Sequence, residues 1–342
     1  MTDARLLTRA LSDPASTLAF DSADWTALIA MARAEQLMGS LAHRLDGLDL
    51  PEPVARICAA ARVSADHARR QALWEAEMAR RVLVPLGVPV VLLKGTAFVA
   101  AGLSAGVGRS IGDLDILVPR AALDAVEKAL IEQGGWEWVK DDEYDDAYYR
   151  DHMHELPPLI HQDRDRMIDV HHTILPLTAG RSPDAEALLA DSEELDVSDG
   201  GGGLRILSPP DIVCHAAAHL FADGDLAGGL RNLWDIDRLL RDFGEHDGFW
   251  EVLGERAERH ELVKPVGRAL RLTERLYETP VDGEVVGKPR TNDNRYASRL
   301  LARDGWGRET RKFLRLTFYI RSHWLRMPPT MLARHLWTKW RK

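Results

Sequence analysis

The chain has 342 residues, 45% of them hydrophobic, and a formal net charge of -9. An acidic chain lacks the general basic face that grips nucleic acid by counterion release, so nucleic acid is not an expected partner. The N-terminus lacks the pattern of a signal peptide, and no uncharged run approaches the ~20 residues of a membrane span. We therefore expect a cytoplasmic protein without a membrane span, in which Cys58 and Cys214 are buried, reduced thiols.

The first part of the chain, residues 1–84, has the pattern of a helical region. Ala, Leu, Arg and Glu dominate residues 25–45 and 54–81, where apolar positions recur every three or four residues.

The pattern changes after Gly87, where residues 85–207 predict a small core domain. Short runs with strand character alternate with one helix, residues 121–133, which Gly134 and Gly135 end. The predicted strands are residues 88–93, 113–118, 136–139 and 167–171. Residues 140–151 are acidic and indicate a solvated loop or an exposed helix, and residues 200–203 indicate a hairpin turn.

Helical signals return at Ser208 and continue almost to the end, which makes residues 208–342 a helical C-terminal region. Its basic final stretch, residues 308–342, contains Trp324, Trp337 and Trp340. This stretch fits an amphipathic packed helix or a surface that docks an acidic partner, a lipid surface or RNA. The expected fold class is α/β (α+β), with a small mixed sheet flanked by helical N- and C-terminal regions.

Three acidic residues lie in the predicted apolar strands. Because successive strand side chains alternate between faces, Asp113 and Asp115 share one face and lie roughly 7 Å apart along the strand. Asp169 projects from a later strand, between Ile168 and Val170. Carboxylates held together in this way repel unless a cation lies between them, which indicates a site for magnesium, with manganese as the alternative ion.

These residues resemble the DNA polymerase β-like nucleotidyltransferase superfamily. The nearer resemblance is to a bacterial nucleotidyltransferase family with a Leu-Leu-Lys-Gly turn, an Arg-x-x-x-Asp-x-Asp-x-Leu-Val strand and a later Asp-x-His. Here these motifs are residues 92–95, 109–118 and 169–171. The chain departs from the superfamily pattern at Gly95-Thr96, where Gly-Ser or Gly-Gly is usual, and in the longer spacing from Gly95 to Asp113.

The resemblance implies roles for individual residues. Asp113 and Asp115 would bind two metal ions, and Asp169 would bind one of them and help to deprotonate the acceptor. The implied nucleotide-binding residues are Lys94, Gly95, Thr96, Arg109 and Ser110, although Lys94 and Arg109 could instead pair with these acids.

Further polar residues are candidates for substrate contacts. His171 shares a strand face with Asp169, and the helical spacing groups His215 with His219 and Arg231 with Asp235. Each has a structural alternative: a packed histidine, or an ion pair within the helix for Arg231 and Asp235. The spacing of His215 and His219 is compatible with zinc, but the sequence offers no evident third ligand.

The sequence thus predicts metal-dependent transfer of a nucleoside monophosphate from an NTP, with ATP preferred, to a hydroxyl or other acceptor on a small molecule, peptide or protein, with release of pyrophosphate. A non-catalytic nucleotide-binding or regulatory module and a metal-dependent phosphodiesterase are the alternatives.

Overall fold

A computed structural model describes residues 3–139, 143–195, 202–222, 224–288, 290–326 and 337. Its described part is a seven-stranded mixed sheet with helices around it, as the sequence predicts.

The N-terminal region is helical up to Leu83. Asp21 caps the second helix by accepting hydrogen bonds from the backbone N–H groups of Ala23 and Asp24. The predicted helical stretch 25–45 is interrupted at Gln36, whose φ of 56° lies in the left-handed region and ends the helix. The helices are α1 (Arg5–Ser12), α2 (Ser22–Ala34), α3 (Met38–Arg44) and α4 (Glu52–Leu83).

The sheet has the strand order β3-β4-β5-β2-β1-β7-β6. β2 pairs with β5, and β1 with β7, in parallel, while the other neighbours are antiparallel. The strands are β1 (Val90–Leu92), β2 (Asp113–Leu117), β3 (Trp136–Trp138), β4 (Leu159–His161), β5 (Met167–His171), β6 (Glu193–Glu194) and β7 (Leu204–Ile206). The sequence did not predict β4, because three residues are too few to establish an alternating pattern.

Four further helices belong to this middle part of the chain. Gly135, with a φ of 75°, caps the predicted helix before β3. Part of the acidic segment is helical, while residues 140–142 lie outside the described part of the chain. The predicted hairpin is borne out by the antiparallel pairing of β6 with β7, although its turn also lies outside the described residues. The helices are α5 (Lys94–Ala100), α6 (Leu123–Gly134), α7 (Glu143–His152) and α8 (Ala185–Ala190).

The C-terminal helices pack around α9 and α12, and α12 also contacts α1. Buried residues from all three parts of the chain form one continuous hydrophobic cluster. The division at residues 84 and 207 therefore stays a prediction. The helices are α9 (Pro209–Ala222), α10 (Gly229–Phe243), α11 (Phe249–Arg259), α12 (Val263–Tyr277), α13 (Gly283–Val286), α14 (Asp293–Leu300) and α15 (Lys312–Arg326).

The basic end of the chain begins with α15. Phe318 is buried on this helix, whereas Phe313, Tyr319 and Trp324 are exposed. Trp340 lies outside the described residues. Cys58 and Cys214 are buried and not joined in a disulfide, as predicted. Among the helices described, none combines the length and apolar character needed to cross a membrane.

Candidate active site

Asp113, Asp115 and Asp169 lie side by side at the centre of the sheet. The parallel register of β2 and β5 pairs Asp115 with Asp169, so their side chains lie on the same face. Carboxylate oxygens of the three residues lie within 4.8 Å of one another. Asp113 is exposed and Asp115 is buried, so the cluster extends from the sheet toward solvent.

The innermost carboxylate, that of Asp115, has two cationic or hydrogen-bonding partners. Its Oδ1 lies 2.5 Å from Lys94 Nζ and 3.1 Å from His171 Nε2. Burial alone would raise the pKa of Asp115, but Lys94 and His171 outweigh burial and hold this pKa well below its usual range. Asp115 is therefore an anion at every pH at which the protein would work.

Asp169 has the opposite environment. Burial, followed by the negative charges of Asp115 and Glu155, raises the pKa of Asp169 to about 7. Three carboxylates at this separation are the hard oxygen donors that magnesium prefers, and a divalent ion would relieve their repulsion. The donor set therefore fits a magnesium site.

Lys94 occupies an unusual backbone position at the end of β1. Its φ is 49°, which is rare for a residue with a side chain. The preceding Leu93 N–H donates to the carbonyl oxygen of Asp115, so the turn is attached to β2. Burial disfavours the charged form of Lys94, yet Asp115, Asp113 and Glu155 together raise its pKa. The ammonium group therefore acts as the cation of the metal-free site.

Arg109 is buried behind this turn. Its Nε donates to Asp235 Oδ2 over 3.0 Å, and its guanidinium stacks on Phe98. A Cβ atom at position 95 would lie 1.9 Å from Arg109 Nη1, so any larger residue there would have to displace the guanidinium. One alternative from the sequence was an ion pair between Arg109 and a clustered aspartate. Arg109 does form an ion pair with an acid, but that acid is Asp235.

The expected ion pair within α10 does not form, because Arg231 extends elsewhere. Its Nη1 donates to Gln36 Oε1 over 2.7 Å and approaches the carbonyl oxygen of Ser110 at 3.4 Å. Asp235 is buried with Arg109.

Two further candidate residues have hydroxyl side chains. The Ser110 side chain is exposed, and the Oγ1 atom of Thr96 is buried without a hydrogen-bond partner among the described residues.

A cavity of about 760 Å³ is lined in part by Gln36 and Ser110, the two residues that Arg231 Nη1 contacts. Ser110 and Asp113 are three positions apart, at most about 11 Å of chain, so the cavity lies close to the acidic cluster. Small and apolar side chains of α4 form much of its wall, with two arginines among the lining residues. The lining includes Arg33, Gln36, Met38, Arg56, Ile57, Ala60, Ala61, Ser64, Ala65, Ala68 and Ser110.

Buried histidines lie around the inner side of the cluster. Burial, followed by the charge of Lys94, lowers the pKa of His215 well below its usual value. His219 is partly buried one helical turn later on α9. The structure adds His154 and Glu155, which contact His171 and which the sequence reasoning missed. These two residues lie outside any periodic segment, so their polar side chains were the one feature of the sequence that could have identified them.

One family comparison bears on this arrangement. A family described as "Uncharacterised nucleotidyltransferase" matches residues 21–278, well over half of the chain. No curated protein matches the sequence. The matched range contains β1, β2, β5 and all three clustered aspartates. The chain belongs to this uncharacterised nucleotidyltransferase family, and nucleotidyl transfer is the class of reaction that its membership supports.

Proposed function

We propose that the protein is a metal-dependent nucleotidyltransferase that moves a nucleoside monophosphate from an NTP to an acceptor hydroxyl and releases pyrophosphate. The observation that carries the proposal is the convergence of the carboxylates of Asp113, Asp115 and Asp169 within 4.8 Å. We take ATP as the NTP and Mg²⁺ as the ion, with Mn²⁺ as its substitute. The cytoplasm supplies both the NTP and the reducing conditions that keep Cys58 and Cys214 as thiols.

In this proposal the three aspartates hold two ions. When bound, such ions stabilise the charge that develops on the attacking and leaving oxygens. The acceptor oxygen bonds to the α-phosphorus, the bond from that phosphorus to the bridging oxygen breaks, and pyrophosphate leaves with the bonding electrons. Asp169 accepts the proton of the acceptor hydroxyl. Its position supports this role, because its carboxylate lies within 4.8 Å of those of Asp113 and Asp115, beside the place where a bound ion would hold the acceptor oxygen.

The turn at residues 94–96 would face the triphosphate. Lys94 would leave Asp115 when metal binds and move its charge to the phosphates. Gly95 and Thr96 supply backbone N–H groups there, and the Thr96 hydroxyl is an available donor. We assign Arg109 to support of this turn, because its charge is already neutralised by Asp235. Ser110 lines the cavity and would lie between it and the phosphates.

We place the acceptor in the cavity beside α4. The wall of alanines fits an acceptor with a largely apolar body. Arg33 and Arg56 favour an acceptor that also carries an anionic group. Arg231 would contact the acceptor between the cavity and the acids, since it donates to Gln36 and approaches Ser110. His171, His215 and His219 would contact the substrates from the buried side of the aspartate cluster. Asp235 would act indirectly, by holding Arg109 in place.

The test incubates the protein with each NTP, Mg²⁺ and a metabolite or cell extract, and identifies products by mass spectrometry. We expect pyrophosphate and an acceptor heavier by one nucleoside monophosphate, and loss of both with Asp113→Asn. The matched control is Asp247→Asn, which changes an exposed carboxylate away from the site and should retain activity.

Two results would replace the proposal with its alternatives. Tight NTP binding without any product would indicate a nucleotide-binding module. Phosphodiester cleavage that proceeds without an acceptor would indicate a phosphodiesterase.

A further inference from the structure

A second group of metal-ligating side chains lies beside the three aspartates. Donor atoms of His154, Glu155 and His171 all lie within 4.8 Å of one another. Glu155 Oε2 is 3.4 Å from His171 Nδ1 and 3.6 Å from His154 Nε2. The two imidazole rings have centroids 5.1 Å apart. Two imidazoles and a carboxylate are a typical donor set for zinc, and not for magnesium.

The backbone holds these residues in place. Leu156 N–H donates to the carbonyl of Val170, and His172 N–H donates to that of His154, each over 2.9 Å. Between the bridge from Glu155 to His171 and the pairing of Leu159 with Ile168, three residues (156–158) lie opposite two (169 and 170). Such an extra residue is a β-bulge, a feature that redirects side chains next to functional sites.

The hydrogen bonding of His171 is incomplete. This side chain is only 2% exposed, and its Nδ1 has no hydrogen-bond partner among the residues that the structure describes. A buried polar atom without a partner costs about 1–3 kcal/mol, so its retention requires an explanation. A cation bound to Nδ1 would provide the missing partner.

The other ring nitrogen of His171 supports the same reading. Its Nε2 lies 3.1 Å from Asp115 Oδ1, so the proton belongs on Nε2 as a donor to the carboxylate. That tautomer leaves the lone pair on Nδ1, the atom 3.4 Å from Glu155 Oε2, available to a cation. Histidines that bind metals usually donate their second ring N–H to a carboxylate in this way.

We propose that His154, Glu155 and His171 form a binding site for Zn²⁺, separate from the three-aspartate site. Ligands of a tetrahedral zinc ion lie about 3.4 Å apart when each bond is about 2.1 Å, close to the separations of Glu155 from the two imidazoles. Three protein donors leave one position for an exchangeable ligand. Through the hydrogen bond from His171, an ion there would fix the orientation of Asp115.

Direct metal binding tests this site without reference to nucleotidyl transfer. Metal-stripped full-length protein is titrated with Zn²⁺ against a chromophoric chelator, and the zinc-edge X-ray absorption spectrum of the complex is recorded. We expect about one tightly bound zinc per chain and the outer-shell scattering of two imidazoles. His154→Gln and Glu155→Gln should each weaken binding by roughly 100-fold or more.

Two controls separate the possible locations of the ion. His215→Gln removes another buried imidazole, and Asp113→Asn disables the three-aspartate site; both should leave zinc affinity unchanged. Asp113→Asn also distinguishes this proposal from the catalytic one, because it should abolish transfer and retain zinc.

The spectrum of the unaltered protein keeps the proposal falsifiable even where a variant fails to fold. An oxygen-only ligand shell would overturn it, as would wild-type zinc affinity in folded His154→Gln or loss of zinc in Asp113→Asn.

Discussion

Arg109 and Asp235 form a buried ion pair that links the loop before β2 to α10. Arg109 Nε lies 3.0 Å from Asp235 Oδ2, and the two side chains are 7% and 5% exposed. The residues are 126 positions apart in sequence. Because the guanidinium also lies against Gly95, this pair connects the turn beside the acidic cluster to a C-terminal helix.

Removal of one charge from this pair should destabilise the protein. Asp235→Asn preserves side-chain volume but leaves Arg109 as a buried, uncompensated charge. We expect a loss of about 3 kcal/mol in the free energy of unfolding, measured by urea denaturation. Asp247→Asn, at an exposed position, should change it little, and equal stability of the two variants would show that the buried pair contributes little.

The glycine beside Arg109 gives a second prediction. Gly95→Ala should displace the guanidinium, because the new Cβ would lie 1.9 Å from Nη1, and we expect a destabilisation of about 1–3 kcal/mol. In an Arg109→Ala background the same substitution should be nearly neutral. This double-mutant cycle isolates the contact, and a full cost of Gly95→Ala without the arginine would assign the glycine to another role.

Lys94 should stabilise the protein without metal and reduce its stabilisation by Mg²⁺. Lys94→Met removes the ammonium group 2.5 Å from buried Asp115, so we expect a lower thermal midpoint without metal. Because Lys94 no longer competes for this carboxylate, Mg²⁺ should raise the midpoint more in the variant than in the wild type. A smaller Mg²⁺ effect in the variant would mean that Lys94 does not act as the cation of the metal-free site.

The local pattern of these strands predicted which acidic residues belong to the cluster. Alternation placed Asp113 and Asp115 on one face, and Asp169 in another apolar strand. The parallel register that pairs Asp115 with Asp169 is a tertiary feature that no local pattern contains. The pairing of Arg109 with Asp235 is also a tertiary feature. The helical spacing of Arg231 and Asp235 wrongly predicted an ion pair between those two residues. No local pattern predicted His154 and Glu155 as site residues, because only the bulged pairing of the chain brings them to His171.

The raised pKa of Asp169 predicts a pH dependence of stability without metal. Its pKa rises from 3.8 to about 7 on folding, so the native state binds more protons than the unfolded chain between these values. This contribution to stability is complete below pH 3.8 and is lost as the pH rises through about 7. Relative to Asp169→Asn, the wild type should therefore become less stable from pH 5.5 to 8, by urea denaturation.

The proton on the Asp169 carboxyl group should compete with Mg²⁺ for this side chain. Calorimetry of Mg²⁺ binding in buffers of different ionisation enthalpy should show proton release near pH 6 and little at pH 8.5. The Asp169→Asn variant should show no such release. Proton release that persists in this variant would assign the titration to another group.

The cavity beside α4 can be blocked without disturbance of the aspartates. Ala60 lies on an exposed part of α4 and lines the cavity, so Ala60→Trp should fill part of the space and leave the fold intact. Its control is Ala59→Trp, which alters the adjacent exposed position outside the lining. If the cavity holds the acceptor, Ala60→Trp should reduce transfer by about tenfold or more and leave Mg²⁺-dependent NTP affinity unchanged.

Separate measurements of NTP binding and of transfer decide what occupies this cavity. NTP affinity is measured by calorimetry with Mg²⁺, and transfer by mass spectrometry of products under saturating NTP. Loss of NTP affinity in Ala60→Trp would show that the cavity holds the nucleotide base, because the side chain would then exclude the nucleotide. Equal transfer by Ala60→Trp and Ala59→Trp would show that the acceptor approaches the aspartates from another side, since a tryptophan at position 60 would otherwise obstruct it.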